Sequence, residues 1–253
     1  MALSICNGDY IAFVDSDDWV TYDFIETLLK YCDEMTLSCC GYYQVYEEVN
    51  IPNYIKKTCV MENIEFIDIM DEYELKVTNG YKNNPIGNYV CNKLWHKHAF
   101  DNIEFPSCKY EDCHVILDLI LKFNKITIIP QCLYYYRQRE GSTTNVKTLS
   151  NALDFLNSRL FQEKQLLAYN DLYKKSQLLT AVAALELVKC NDFNNSHLAL
   201  SKKIIKERLS LMMFKYKKTM LKLLLFLVSP TVFRYLYLQK DFIYRGRWSN
   251  KTH

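Results

Sequence analysis

The sequence predicts an α/β domain followed by an all-helical region. Strand-like and helix-like segments alternate up to Thr148, and beyond it the apolar spacing is helical through Lys218. A third observation is an apolar run near the start, "YIAFVD" (Tyr10 to Asp15), which ends abruptly in three carboxylates, Asp15, Asp17 and Asp18.

Tyr10 to Asp15 has the length and composition of a buried strand bounded by a turn. Thr21 is placed to cap a helix whose Phe24, Ile25, Leu28 and Leu29 recur at helical spacing. "TLSCCGYYQVY" and "YIKKTCVM" read as strands with "PN" as the turn between them. "ENIEFIDIMDEYEL" is expected to be helical and "VCNKLW" (Val90 to Trp95) extended. "YEDCHVILDLILKFN" forms a helix with Val115, Ile116, Leu119 and Ile120 inward, which puts Glu111 and Asp112 in its first turn. "KITIIP" and "CLYYYRQ" are expected as two further strands, ahead of the polar loop "REGSTTN". In the helical region "NDFNNS" (Asn191 to Ser196) is the clearest break. The order strand, helix, strand puts Asp15 to Asp18 at the carboxyl end of a strand, the edge where open α/β sheets place ligands.

The formal net charge of +2 conceals an asymmetry. Met1 to Ser201 holds 18 basic and 27 acidic residues, and Lys202 to His253 holds 13 and 2, balances of −9 and +11. Such a basic segment calls for an anionic partner. In "KYKKTMLKLLLFLVSPTVFRYLYLQKDFIYRGRW" the apolar stretch Leu223 to Val228 is far shorter than the roughly 20 residues of a spanning helix, and Pro230 ends it. Its mix of basic and aromatic residues suits a membrane interface better than nucleic acid, so no nucleic-acid partner is expected. The alternative is a helix docked on the body. The chain has no signal peptide pattern, and its ten cysteines follow neither a disulfide framework nor a zinc spacing. They read as reduced thiols of a cytoplasmic protein.

Three acids within four positions need a counter-charge, because a desolvated carboxylate costs several kcal/mol. Mg²⁺ or Mn²⁺ meets that need with one or two carboxylates and a substrate's phosphate oxygens. In order, the blocks "GDYIAFVDSDDW", "CNKLW", "KYEDCHVILDLILKF" and "LYYYRQREGSTT" resemble the family-2 glycosyltransferases of the GT-A fold, particularly those building bacterial capsular and other surface polysaccharides. The resemblance covers about Met1 to Thr144. It implies a mixed, Rossmann-like sheet and inverting transfer of a hexosyl group from a nucleotide sugar, of the UDP-sugar type, to a glycan or lipid-linked acceptor.

Carried over, Asp15 and Asp17 form the D-x-D, with Asp17 the direct metal ligand and Asp15 also facing the donor. Asp18 is grouped with the metal site as a neighbour. Asp112 is the implied general base, with Glu111 positioning it. Lys93, Arg137 and Arg139 are expected at the donor, the two arginines clamping the departing diphosphate. His96, His98 and His114 lie near these blocks but share no ligand spacing. Family members open with a "VSVIIPVYN"-like strand and a "DDGS" block that holds the nucleoside, and neither occurs here. The expected shortfall is two to three βα units, on the order of 80 to 100 residues.

The expected organisation is a glycosyltransferase domain at 1–148, a helical region at 149–218 and a basic, aromatic tail at 219–253. The expected location is peripheral, at the inner face of the cytoplasmic membrane. The alternative reading is an inactive remnant or partner subunit that does not bind donor alone.

Overall fold

The computed structural model describes residues 3–81, 83–139, 148–208 and 216–238. The chain divides into two compact units, Met1–Asn145 and Val146–His253.

The first unit is built on a parallel pair of long strands, β3 (Thr36–Val45) and β7 (Lys125–Arg137). Each is flanked by two short strands, all antiparallel. On the outer edge of β3 lie β6 (Lys93–His96) and β4 (Asn50–Asn53), with β1 (Tyr10–Ile11) beyond β6. On the outer edge of β7 lie β5 (Cys59–Glu62) and β2 (Trp19–Val20). Helix α1 (Phe24–Leu29) packs on β3 and β6, and α2 (Asn63–Thr78) on β5, β7 and α3 (Glu111–Ile120). Phe24, Leu28, Cys40, Leu94, Leu133 and Tyr134 belong to one buried core cluster. All four predicted inward residues of α3, Val115, Ile116, Leu119 and Ile120, are buried.

Several expectations need correction. Only Tyr10 and Ile11 of the run to Asp15 are strand. After pairing with β6 the chain leaves that edge, crosses the end of the central strands, and re-pairs on the far side as β2. The acids therefore sit on a loop at the carboxyl end of the parallel β3–β7 pair. The expected turn at Pro52-Asn53 is part of β4, which pairs with β3 alone, so the missing proline N–H falls on an open edge.

"KITIIP" and "CLYYYRQ" form one strand. Pro130 falls between the segment paired to β5 (Lys125 to Ile128) and the segment paired to β2 (Tyr134 and Tyr135), and the register with β3 shifts there. A proline at an irregularity with no second neighbour removes no ladder bond. Gly41 lies at the same irregularity, where a Cβ would come 2.7 Å from the Asn53 carbonyl oxygen, so β4 closes on β3 only because that position lacks a side chain. Thr21 contributes its carbonyl to Phe24 N–H at 3.2 Å, while Asp23 holds the cap position of α1. Ile25 and Leu29 are exposed, so only Phe24 and Leu28 face the core.

The second unit contains α4 (Leu149–Gln165), α5 (Asn170–Val188), α6 (Asn195–Arg208) and α7 (Lys217–Val228), and residues 230–238 are also helical. Thr148 caps α4, its hydroxyl accepting from Asn151 N–H at 3.2 Å. The break before α6 falls within the predicted "NDFNNS". Arg208 forks onto Glu163 with two bonds of 2.9 Å in a buried setting, tying the end of α6 to α4. Helix α7 packs on α5 and α6 through Thr219, Met220, Leu223 and Phe226. Its other side leaves Leu221, Leu224 and Val228 exposed. No helix among the described residues is long and apolar enough to cross a membrane.

Candidate active site

The loop from Ala12 to Asp18 reaches the end of β7 and is fastened there. Asp18 N–H donates to the Asp15 carbonyl at 3.0 Å, closing a turn around Ser16 and Asp17. Arg137 N–H donates to Asp18 Oδ1 at 2.8 Å, and the Tyr134 hydroxyl donates to Asp18 Oδ2 at 2.7 Å. Asp17 pairs with Arg139 at 2.8 Å. The Arg137 guanidinium lies 5.2 Å over the Trp19 ring, which stacks on Tyr135. The loop "REGSTTN" beyond Arg139, with Gly141 to Thr144, lies outside the described residues.

The three acids thus differ. Asp18 has both oxygens engaged by β7. Asp17 has one cationic partner. The Asp15 carboxylate has none among the described residues, and every group that shifts it pushes its pKa up: crowding by protein first, then the like charges of Asp18, Asp17 and Glu111. Asp18 is raised too, chiefly by burial, against the opposing hydrogen bonds from Arg137 and Tyr134.

Asp112 faces the same charge field. It opens α3 behind Tyr110, whose φ of 60° is left-handed. Holding a tyrosine there costs on the order of 1 kcal/mol and aims the helix start. Val90 N–H donates to Asp112 Oδ2 at 3.0 Å. Burial, and after it the charges of Glu111 and Asp15, raise the Asp112 carboxyl to about 6, with Val90 and Lys93 opposing. Glu111 is exposed beside it and makes no ion pair among the described residues.

Lys93 does not reach the rim where the donor was expected. Its side chain is buried, donating to the Tyr89 carbonyl at 2.7 Å and Asn92 Oδ1 at 3.0 Å, and its ammonium lies 4.4 Å over the Tyr89 ring. Burial lowers its pKa. Trp95 Nε1 donates to the Val90 carbonyl at 2.9 Å, so "CNKLW" braces the segment that holds Asp112. Arg137 and Arg139 are exposed at the ledge. The His96 and His98 rings touch each other, Nδ1 to Nδ1 at 2.7 Å. The ten cysteines are all free thiols.

Among the described residues no group of three or more His, Cys, Asp or Glu is set for a metal ion. The hard oxygen donors of Asp15 and Asp17, beside the further carboxylates of Asp18 and Glu111, do fit a hard divalent cation that takes its remaining ligands from outside the protein.

Residues 1–101 match the model of the family "Glycosyl transferase family 2". This N-terminal stretch is similar to that family. The chain's curled mixed sheet with flanking helices is a GT-A-type α/β fold, followed by a helical region. Two curated relatives come from Streptococcus pneumoniae serotype 4. Glycosyltransferase GlyA is 28% identical over 158 residues, 58% of this chain and 21% of GlyA. Glycosyltransferase GlyG is 29% identical over 144 residues, 56% of this chain and 48% of GlyG. The matched stretch spans less than half the length of either relative. The acidic loop lies within the matched stretch, and the start of α3 lies beyond it.

The residue that sequence reasoning missed is Tyr134. "LYYYR" offers three tyrosines, and strand alternation marks the middle one, Tyr135, as facing away from its neighbours. Nothing in the pattern says that the hydroxyl of Tyr134 ends under the acidic loop.

Proposed function

We propose that this chain transfers a sugar from a nucleotide diphosphate donor to an acceptor hydroxyl with inversion, in surface polysaccharide assembly. The observation that carries the reading is Asp112, raised to about 6 and held by Val90 N–H within the field of the Asp15 ledge. A base with a pKa near working pH is charged, yet accepts a proton readily. Val90 occupies Oδ2, which leaves Oδ1 for the acceptor's proton. As that proton moves to Asp112, the acceptor oxygen's electron pair forms the bond to the donor's anomeric carbon. The bond from that carbon to the phosphate oxygen breaks, and its pair leaves with the nucleoside diphosphate. Asp15 and Asp17 would hold Mn²⁺ or Mg²⁺ beside that diphosphate, where the cation supplies charge neutralisation. Arg137 and Arg139 add guanidinium donors to the phosphates.

Calorimetric titration of UDP-sugars and other nucleotide sugars into the full chain tests this. Heat of binding is expected with Mn²⁺ and not without it. No heat with any donor overturns the reading and favours a chain that does not bind donor alone.

The proposed location is the inner face of the cytoplasmic membrane, where a lipid-linked or growing glycan is the acceptor. Leu221, Leu224 and Val228 of α7 form an outward apolar stripe, preceded by exposed Lys217 and Lys218, and no acid occurs from Lys217 to Leu238. Such a helix lies in an anionic interface with its apolar side down. Changing Leu221 and Leu224 together to Glu is expected to reduce co-sedimentation with phosphatidylglycerol vesicles by roughly tenfold or more. Unchanged sedimentation would remove α7 as the contact.

A further inference from the structure

The Tyr134 hydroxyl bridges both ends of the acidic turn. It donates to Asp18 Oδ2 at 2.7 Å and accepts from Asp15 N–H at 3.2 Å. Its side chain is buried in the sheet's core cluster with Phe24, Leu28 and Leu133, which anchors the ring that carries the hydroxyl. Asp18 returns a second bond to the same strand through Arg137 N–H at 2.8 Å. Thr21 N–H to the Leu133 carbonyl at 2.9 Å and the Trp19–Tyr135 stack at 5.2 Å continue the attachment. With Asp18 turned into the sheet, its oxygens are spent on β7 and its neighbours Asp15 and Asp17 are the acids left to face outward.

We propose that Tyr134 and Asp18 are positioning residues, a clamp that presents Asp15 and Asp17 to the donor in a fixed direction, and that Asp18 is not itself a metal ligand. This rests on the reading that Asp15 and Asp17 hold the cation and diphosphate. A ledge ordered before the ligand arrives loses no conformational freedom when the ligand binds. The clamp also gives the Asp18 carboxylate a role despite the repulsion from Asp17: it accepts from two donors on one strand, which an apolar residue cannot do.

The test uses the full chain with Tyr134→Phe, Asp18→Asn and Asp18→Ala. In the ligand-free protein, Tyr134→Phe and Asp18→Ala should speed amide hydrogen exchange at Asp15 and Asp18 by roughly tenfold or more, with exchange along β3 unchanged as the control for folding. Asp18→Asn should stay much closer to wild type than Asp18→Ala, since Oδ1 still accepts from Arg137 N–H and Nδ2–H can donate to the Tyr134 oxygen, although the Tyr134 O–H then loses its acceptor. Affinity for Mn²⁺ with UDP should follow the same order, falling about tenfold in Tyr134→Phe and Asp18→Ala and staying within about threefold in Asp18→Asn.

Unchanged exchange at Asp15 in Tyr134→Phe overturns the clamp. So does an Asp18→Asn variant as weak for Mn²⁺ as Asp17→Asn, because that is how a metal ligand behaves. If Tyr134→Phe does not fold, the Asn and Ala pair at Asp18 decides. Wild-type protein that binds no Mn²⁺ with UDP would sink the donor reading, while the exchange measurement would still decide the clamp.

Discussion

Replacing Asp112 with Asn is expected to lower turnover by about 10²- to 10⁴-fold, the usual worth of a positioned general base, while donor affinity stays within about twofold. Asn keeps an oxygen for the Val90 N–H but cannot take a proton from the acceptor. In the wild type, kcat/KM should rise with pH and level off above about 6, because in the proposed mechanism only the ionised Asp112 can take the acceptor's proton. Stability should move the other way. The folded carboxyl holds its proton up to about 6, whereas the unfolded one releases it near its ordinary value, so the folded state binds more protons between. Asp112 therefore favours folding at low pH, and that contribution is lost as pH rises through about 6. Asp112→Asn removes a cost of no more than about 3 kcal/mol at neutral pH. Its melting temperature at pH 7.5 should equal or exceed that of the wild type. An inactive variant that is no less stable separates loss of chemistry from loss of fold, and a variant with retained turnover would end the base assignment.

The long signals in the sequence carried the architecture. The apolar face of α3 was legible because Val115, Ile116, Leu119 and Ile120 repeat at helical spacing on one side. β3 was legible because ten residues in a row suit a strand buried on both faces. What local rules misjudged was punctuation. Pro52 and Pro130 look like breaks, yet each falls where a strand has no neighbour on the side the missing N–H would serve. That depends on which strands pair, a non-local fact. Lys93 failed for a related reason. A lysine is read as a surface charge, but this one is buried with its ammonium satisfied by the carbonyls of its own loop, a cage visible only after Asn92 adopts its left-handed φ of 54°. Asp15, Asp17 and Asp18 were legible as a group, and their division of labour was not. Their partners stand more than a hundred residues away, Tyr134 and Arg137 on β7 and Arg139 just beyond its end.

Asp17→Asn is expected to abolish Mn²⁺-dependent binding of UDP-sugars, a loss of roughly 10²-fold or more if the carboxylate is a direct ligand. Asp17→Asn also releases Arg139 from its ion pair. Asp17 is 28% and Arg139 59% exposed at the side chain, and pairs this open contribute at most about 1 kcal/mol. Breaking it should leave the melting temperature nearly unchanged. Arg139→Ala supplies the complementary measurement. It breaks the same ion pair but keeps the carboxylate, so the protein should hold Mn²⁺ alone at least as well as wild type while losing affinity for UDP. Opposite responses of the two variants to metal alone assign the cation to Asp17 and the phosphate to Arg139. Equal losses in both would mean that the ion pair itself shapes the ledge, and that neither residue touches the donor.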